Sequence, residues 1–260
     1  MLDTIFQKYD LFLVVMVRMT GFIVFNPVFG RRNVPNNIKA AIAFVLAVVM
    51  MIPMERDAEL DRYTANIFVF MLLLAKEVVF GYLIGLIVNI YFSVLSMGGE
   101  IIDMQMGLAM SRMYDPGSNV QMPLIGSFFN VAFMFIFFLT NSHITLIELI
   151  RISFDISPVT SFSFNPGIGI SVLNLFSHIF VLSMKLAFPV IAVELVTETG
   201  IGIIMRAVPQ INVFVVGVQL KIFVALFILI AVCPVSAWFF DGMLREMTSF
   251  IYNALFALAS

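Results

Sequence analysis

Four long stretches of this chain, residues 78–99, 116–147, 156–184 and 222–240, contain no Asp, Glu, Lys or Arg. A helix needs about 20 predominantly apolar residues to cross a bilayer, and in hydrocarbon only helices and closed barrels satisfy the backbone. Stretches such as Phe128–Leu139 are apolar on every side rather than alternating, which favours helices over barrel strands. Shorter apolar runs lie at 11–30, interrupted by Arg18, and at 40–54. The pattern predicts six helical segments, about 9–29, 38–54, 64–97, 123–146, 170–196 and 211–240. The 260 residues are 62% hydrophobic and 12% charged, against about 45–50% and 25% in soluble domains. A soluble fold is excluded, and an all-α integral membrane protein is expected. The net charge of −2 supplies no basic field for nucleic acid.

Met1–Asp10 holds one Lys against two Asp, and bulky residues fill Gly21–Phe29. That is not a cleavable signal, so the first segment is expected to stay in the mature protein. Arg31, Arg32 and Lys39 form the basic cluster between segments one and two, which places that loop in the cytoplasm and the N-terminus outside. Alternation then puts the loops around 98–122 and 197–210 inside. Pro27, Pro53, Pro123, Pro189 and Pro234 fall in or near apolar segments, where they kink or end helices, so several segments read as bent hairpins. After Thr197 the pattern simplifies to a short polar loop and one long apolar run. The last two segments therefore read as a helical hairpin appended to a four-helix body.

Signatures of catalysis are missing. The sequence has no HExxH and no GxSxG; His143 and His178 are far apart, and Cys233 is a single cysteine among apolar neighbours. Neither metal ligands nor a cofactor site are expected. Gly200 and Gly202 are too few for a phosphate cradle. Glu100 and Asp103, three apart, fit an ordinary solvated start of a helix better than an acid pair.

What remains is polar chemistry where it is expensive. Arg18, Lys76, Glu77, Lys185 and Glu194 lie inside apolar segments. A charge at the bilayer centre costs about 2.5–3.5 kcal/mol on insertion scales, so each should pair, face water or snorkel to the interface. Lys185 and Glu194 are too far apart to meet along one helix and need partners from another segment or subunit. Along segment three, Glu77, Gly81, Gly85, Asn89 and Ser93 recur every four residues. At 3.6 residues per turn such a seam winds around the helix, and Gly81 with Gly85 forms a GxxxG that admits a neighbouring backbone.

The stretch 98–119, GGEIIDMQMGLAMSRMYDPGSN, reads as leaving segment three at the glycine pair. Met104, Met106, Met110 and Met113 stand among polar residues before the turn signal Asp115-Pro116-Gly117. Flexible Met side chains suit a deformable seal. A simple interfacial helix accounts for the composition as well, and the residues alone leave both readings open.

Taken in order, Arg18, Pro27-Val-Phe-Gly30, Val34-Pro35, Glu77, Gly81, Gly85, the Gly99-Glu-Ile-Ile-Asp103-x-Gln105-x-Gly107 block, Asp115-Pro116, and Arg206-x-x-Pro209-Gln210-x-Asn212-x-Phe214 with Gly217 and Lys221 resemble the R-subunit family of the flagellar type III export gate, FliR, and its virulence-secretion counterparts. The resemblance covers essentially the whole chain. One departure is Gln219, where the family often carries proline.

The resemblance implies a structural and gating subunit rather than an enzyme. Such proteins assemble with the P and Q subunits into the entrance of a channel in the flagellar basal body, in the bacterial inner membrane, and unfolded flagellar proteins pass through it. It further implies contacts with the B and A export-gate proteins. Residues 1–169 correspond to a P-like body, with a plug loop at 98–122, and residues 170–260 to a Q-like hairpin. The plug would comprise Met106, Gly107, Leu108, Met110, Met113, Tyr114, Asp115 and Pro116. The polar turn with Arg206, Pro209, Gln210 and Asn212 would face neighbouring subunits or the large gate protein. Helices of the family fold as kinked hairpins raised toward the periplasmic side, which allows the charges to pair between subunits. A small-solute secondary transporter is the alternative; the inverted halves typical of that class are not detected.

Overall fold

The computed structural model describes residues 8–31, 33–54, 58–108, 123–159, 168–208 and 213–259. Among these, all regular structure is helical: α1 (Tyr9–Phe25), α2 (Asn36–Met51), α3 (Ala58–Thr64), α4 (Ile67–Gln105), α5 (Leu124–Leu139), α6 (Ser142–Ile156), α7 (Ile168–Ala207) and α8 (Val213–Ala259). α4, α7 and α8 are each long and apolar enough to cross a membrane, and the broken pair α5–α6 is a fourth candidate. The protein is an all-α, multi-pass membrane protein.

The helices are longer than the apolar runs suggested. α4 continues through Gly98 and Gly99 to Gln105 instead of breaking at the glycine pair, so Glu100 and Asp103 belong to the helix body. Both α7 and α8 run through an internal proline, Pro189 and Pro234. At about 1.5 Å per residue, helices of 40 and 47 residues rise about 60–70 Å, roughly twice the hydrocarbon thickness. Conversely, the segment expected over 123–146 is two helices. α5 stops at Leu139, where Thr140 donates its N–H to the Ile136 carbonyl and Asn141 adopts φ 56°. A left-handed Asn after the last turn is a common helix stop.

The described residues group into two compact units. The first holds residues 1–90, 142–173 and 246–260; the second holds 91–141 and 174–245. In the first, Val14, Val15, Met19 and Phe22 of α1 are buried, as are Leu73, Phe80 and Ile84 of α4. The second is built around aromatic side chains: Phe133 packs edge-on against Phe92, with centroids 4.8 Å apart, and against Phe240 at 5.6 Å. Such edge-to-face pairs add about 0.5–1.5 kcal/mol each beyond the area they bury. Much apolar surface stays uncovered, including Phe223, Phe227, Ile230 and Trp238 on α8. That is the surface a membrane or a neighbouring protein requires.

Candidate functional site: a buried charge cluster and a clamped helix crossing

In the first unit, α1 and α4 approach closely because glycines line their contact. A Cβ on Gly81 would run into the carbonyl oxygen of Arg18, one on Gly21 would lie 2.8 Å from the Val78 carbonyl oxygen, and one on Gly85 would lie 2.9 Å from that of Phe22. Farther along, Asn89 donates from Nδ2 to the Phe25 carbonyl oxygen at 3.4 Å. The close approach carries Arg18 over Glu77, whose carboxylate accepts a charge-assisted hydrogen bond from the Arg18 Nε. Both side chains are fully buried.

The rest of the guanidinium is used as well. Nη1 donates to Ser153 Oγ at 3.1 Å and Nη2 to the Ser157 carbonyl oxygen at 3.1 Å. The group lies 4.0 Å from the Phe154 ring centroid and 5.1 Å from that of Phe80. Lys76 Nζ stands 3.3 Å from the second Glu77 oxygen and donates to the Val159 carbonyl oxygen at 3.1 Å. Two cations and one carboxylate would leave an excess positive charge. Backbone oxygens offset part of it: Arg18 and Lys76 together take the Ser157 and Val159 carbonyls just beyond α6. Burying ions is tolerable only with this degree of pairing.

Lys185 and Glu194 are not part of this cluster. Lys185 is exposed on α7. Glu194 is buried, and neither of its carboxylate oxygens has a hydrogen-bond partner among the described residues. One turn on, Glu198 pairs with Lys221 of α8. Arg206 is exposed in the last turn of α7, a favourable place for a cation.

The second unit contains a different device. Asp103 is fully buried near the end of α4 and accepts hydrogen bonds from the backbone N–H groups of Leu124 (2.6 Å) and Ile125 (3.2 Å), the first residues of α5. α4 ends at Gln105, and Gly107 follows with a φ of +80° that favours glycine. Met106 is buried beside it and Met104 is exposed. The other expected plug residues, Met110, Met113, Tyr114, Asp115 and Pro116, and the turn residues Pro209, Gln210 and Asn212, lie outside the described residues.

Arg18, Lys76 and Glu77 stand out in the sequence as charges in apolar runs. Their partners Ser153, Phe154 and the carbonyls after α6 do not, because they join from more than 130 positions away or through backbone atoms. Asp103 is also missed, since its acceptor role depends on another helix.

Residues 9–247 match the model of a protein family described as bacterial export proteins, family 1. The chain belongs to this family. It is 33% identical over 237 residues to the flagellar biosynthetic protein FliR of Bacillus subtilis, covering 89% of each chain. It is 27% identical over 248 residues to the FliR of Escherichia coli, covering 95% of this chain and 91% of that one. Yop proteins translocation protein T of Yersinia pestis is 32% identical over 179 residues, 67% of this chain and 66% of the relative. The family match spans the helices that carry the charge cluster and the clamped crossing. This member is a multi-pass protein of the bacterial cell membrane and a subunit of the flagellar or type III export apparatus.

Proposed function

We propose that the protein is a structural and gating subunit of the flagellar type III export channel. It joins P and Q subunits to form the channel entrance in the basal body, meets the B and A gate proteins, and lets unfolded flagellar proteins pass without catalysing a reaction. The observation that carries this reading is the family match over residues 9–247. The P-like body over 1–169 and the Q-like hairpin over 170–260 are part of the same proposal. Lys185 is exposed on α7, and Glu194 is buried on the same helix with no hydrogen-bond partner among the described residues; contacts with neighbouring subunits would satisfy them. Residues 106–116 serve as the plug between α4 and α5, and the turn at 206–212 contacts neighbouring subunits or the large gate protein below.

Deleting residues 106–119 tests the gate: ion leak across the membrane should rise and flagellin secretion should change. A tight membrane with unaltered secretion overturns the plug. Purification from mild detergent tests the assembly. An export-gate subunit brings different small membrane proteins with it, whereas a chain recovered alone or as a homo-oligomer and transporting a solute would contradict the proposal.

A further inference from the structure

The carboxylate of Asp103 occupies a place that its own helix gives no reason for. It stands at the C-terminal end of α4, the unfavourable end of that helix's dipole for an anion, and it is fully buried. The reason comes from α5. The N-cap position of α5 is Pro123, which has no side-chain oxygen to offer the free N–H groups of the first turn. Asp103 supplies both oxygens instead, one to Leu124 and one to Ile125. An anion at a helix N-terminus is stabilised by the dipole as well as by the hydrogen bonds.

Independent contacts fix the same crossing. Gly99 lies so close to Gly126 that a Cβ would strike the Gly126 backbone nitrogen. Asn130 Nδ2 donates to Ser96 Oγ at 3.1 Å and to the Gly126 carbonyl oxygen at 2.9 Å. The Gly107 N–H closes α4 by donating to the Met104 carbonyl oxygen at 3.1 Å.

We propose that Asp103 is a positioning residue for the channel gate: its carboxylate holds the C-terminal end of α4 against the N-terminal end of α5. It thereby fixes the spacing between Leu108 and Pro123, the two points that flank the connecting segment. The link to gating rests on the export-gate reading above. The positioning itself rests on the hydrogen bonds and the close crossing.

Two variants of the full chain separate the parts. Asp103→Asn removes the charge and one acceptor while keeping the side chain's shape. Leu124→Pro removes the shorter of the two donors on the other side and leaves Ile125. Proline is tolerated at the first helical position, Pro123 already has the extended ψ of 133° that a following proline requires, and the Leu124 side chain is exposed. In a Cys233→Ser background, spin labels at Met104→Cys and Phe128→Cys, both exposed positions, report the distance between the two helix ends. Both variants should broaden that distance distribution, and the double variant should do no more than either alone. Hydrogen exchange in the first turn of α5 should rise about fivefold in Asp103→Asn, the ratio expected for losing a typical N-cap. An unchanged distribution and unchanged exchange would overturn the positioning role, whatever secretion does. Broadening with raised ion leak supports both parts. Broadening with a tight membrane and normal secretion keeps the positioning role and sinks the gate assignment. Should Asp103→Asn fail to accumulate, Leu124→Pro alone decides.

Discussion

The buried ionised groups of the first unit and Glu194 of α7 are treated in opposite ways. Arg18, Lys76 and Glu77 are drawn into one cluster, sealed by Phe80 and Phe154 and completed by the carbonyls beyond α6. On α7, Lys185 is exposed, and Glu194 is buried with two oxygens that find no hydrogen-bond partner among the described residues. The first group is completed by one chain and therefore belongs to its stability. Glu194 is left incomplete among the described residues, and on the proposed function neighbouring subunits would complete it. On that reading the contrast separates residues whose loss unfolds the protein from residues whose loss disconnects it.

The largest expected effect is at the cluster. Glu77→Leu leaves buried Arg18 without its carboxylate, which costs about 3–5 kcal/mol, and should appear as lost protein in membranes and a lower unfolding temperature in detergent; Arg18→Met, which leaves Glu77 paired with Lys76, should cost less. The double variant Arg18→Met with Glu77→Leu, which leaves only Lys76 on the Val159 carbonyl, should recover most of the Glu77→Leu loss. If the double variant is as unstable as the worse single one, the cluster is not a pair and the contrast fails. Next in size is Gly81→Val, which forces a side chain onto the Arg18 carbonyl and should cost about 1–3 kcal/mol by overpacking. Pulling α1 and α4 apart in this way should also weaken the Arg18–Glu77 pair, so Gly81→Val combined with Glu77→Leu should be less than additive.

The smallest effect on stability is expected on α7. Lys185→Ala replaces an exposed side chain and should shift the lone chain's unfolding within about 0.5 kcal/mol. Glu194→Leu removes a buried carboxylate with no hydrogen-bond partner among the described residues, so the lone chain should be no less stable. Both should reduce co-purification of other membrane proteins. Strong destabilisation of the lone chain by either variant, with the assembly intact, would erase the distinction between the two regions.

How much of this was legible beforehand depended on the range of the signal. Charge-free runs marked the membrane helices because lipid selects residues one at a time. The lengths were misjudged because composition changes near Gly98 and Thr197 while the hydrogen-bonded ladder continues through both. The stop at Thr140–Asn141 had a local signal in its polar residues; the helix restart at Ser142 is adjacent to it. Arg18 and Glu77 were conspicuous singly, yet their pairing spans 59 positions and their remaining contacts up to 139.

By itself, the order of residues determined that this is a helical membrane protein, which of its charges are costly, and which family it resembles, because each of these follows from local transfer free energies or from a pattern along the chain. Only the tertiary structure decided that Arg18 and Lys76 bond the carbonyls just beyond α6 and that Asp103 serves the start of a helix other than its own. Helix ends expose unsatisfied backbone groups whose identity is the same for every residue, so no sequence marks which distant side chain will reach them.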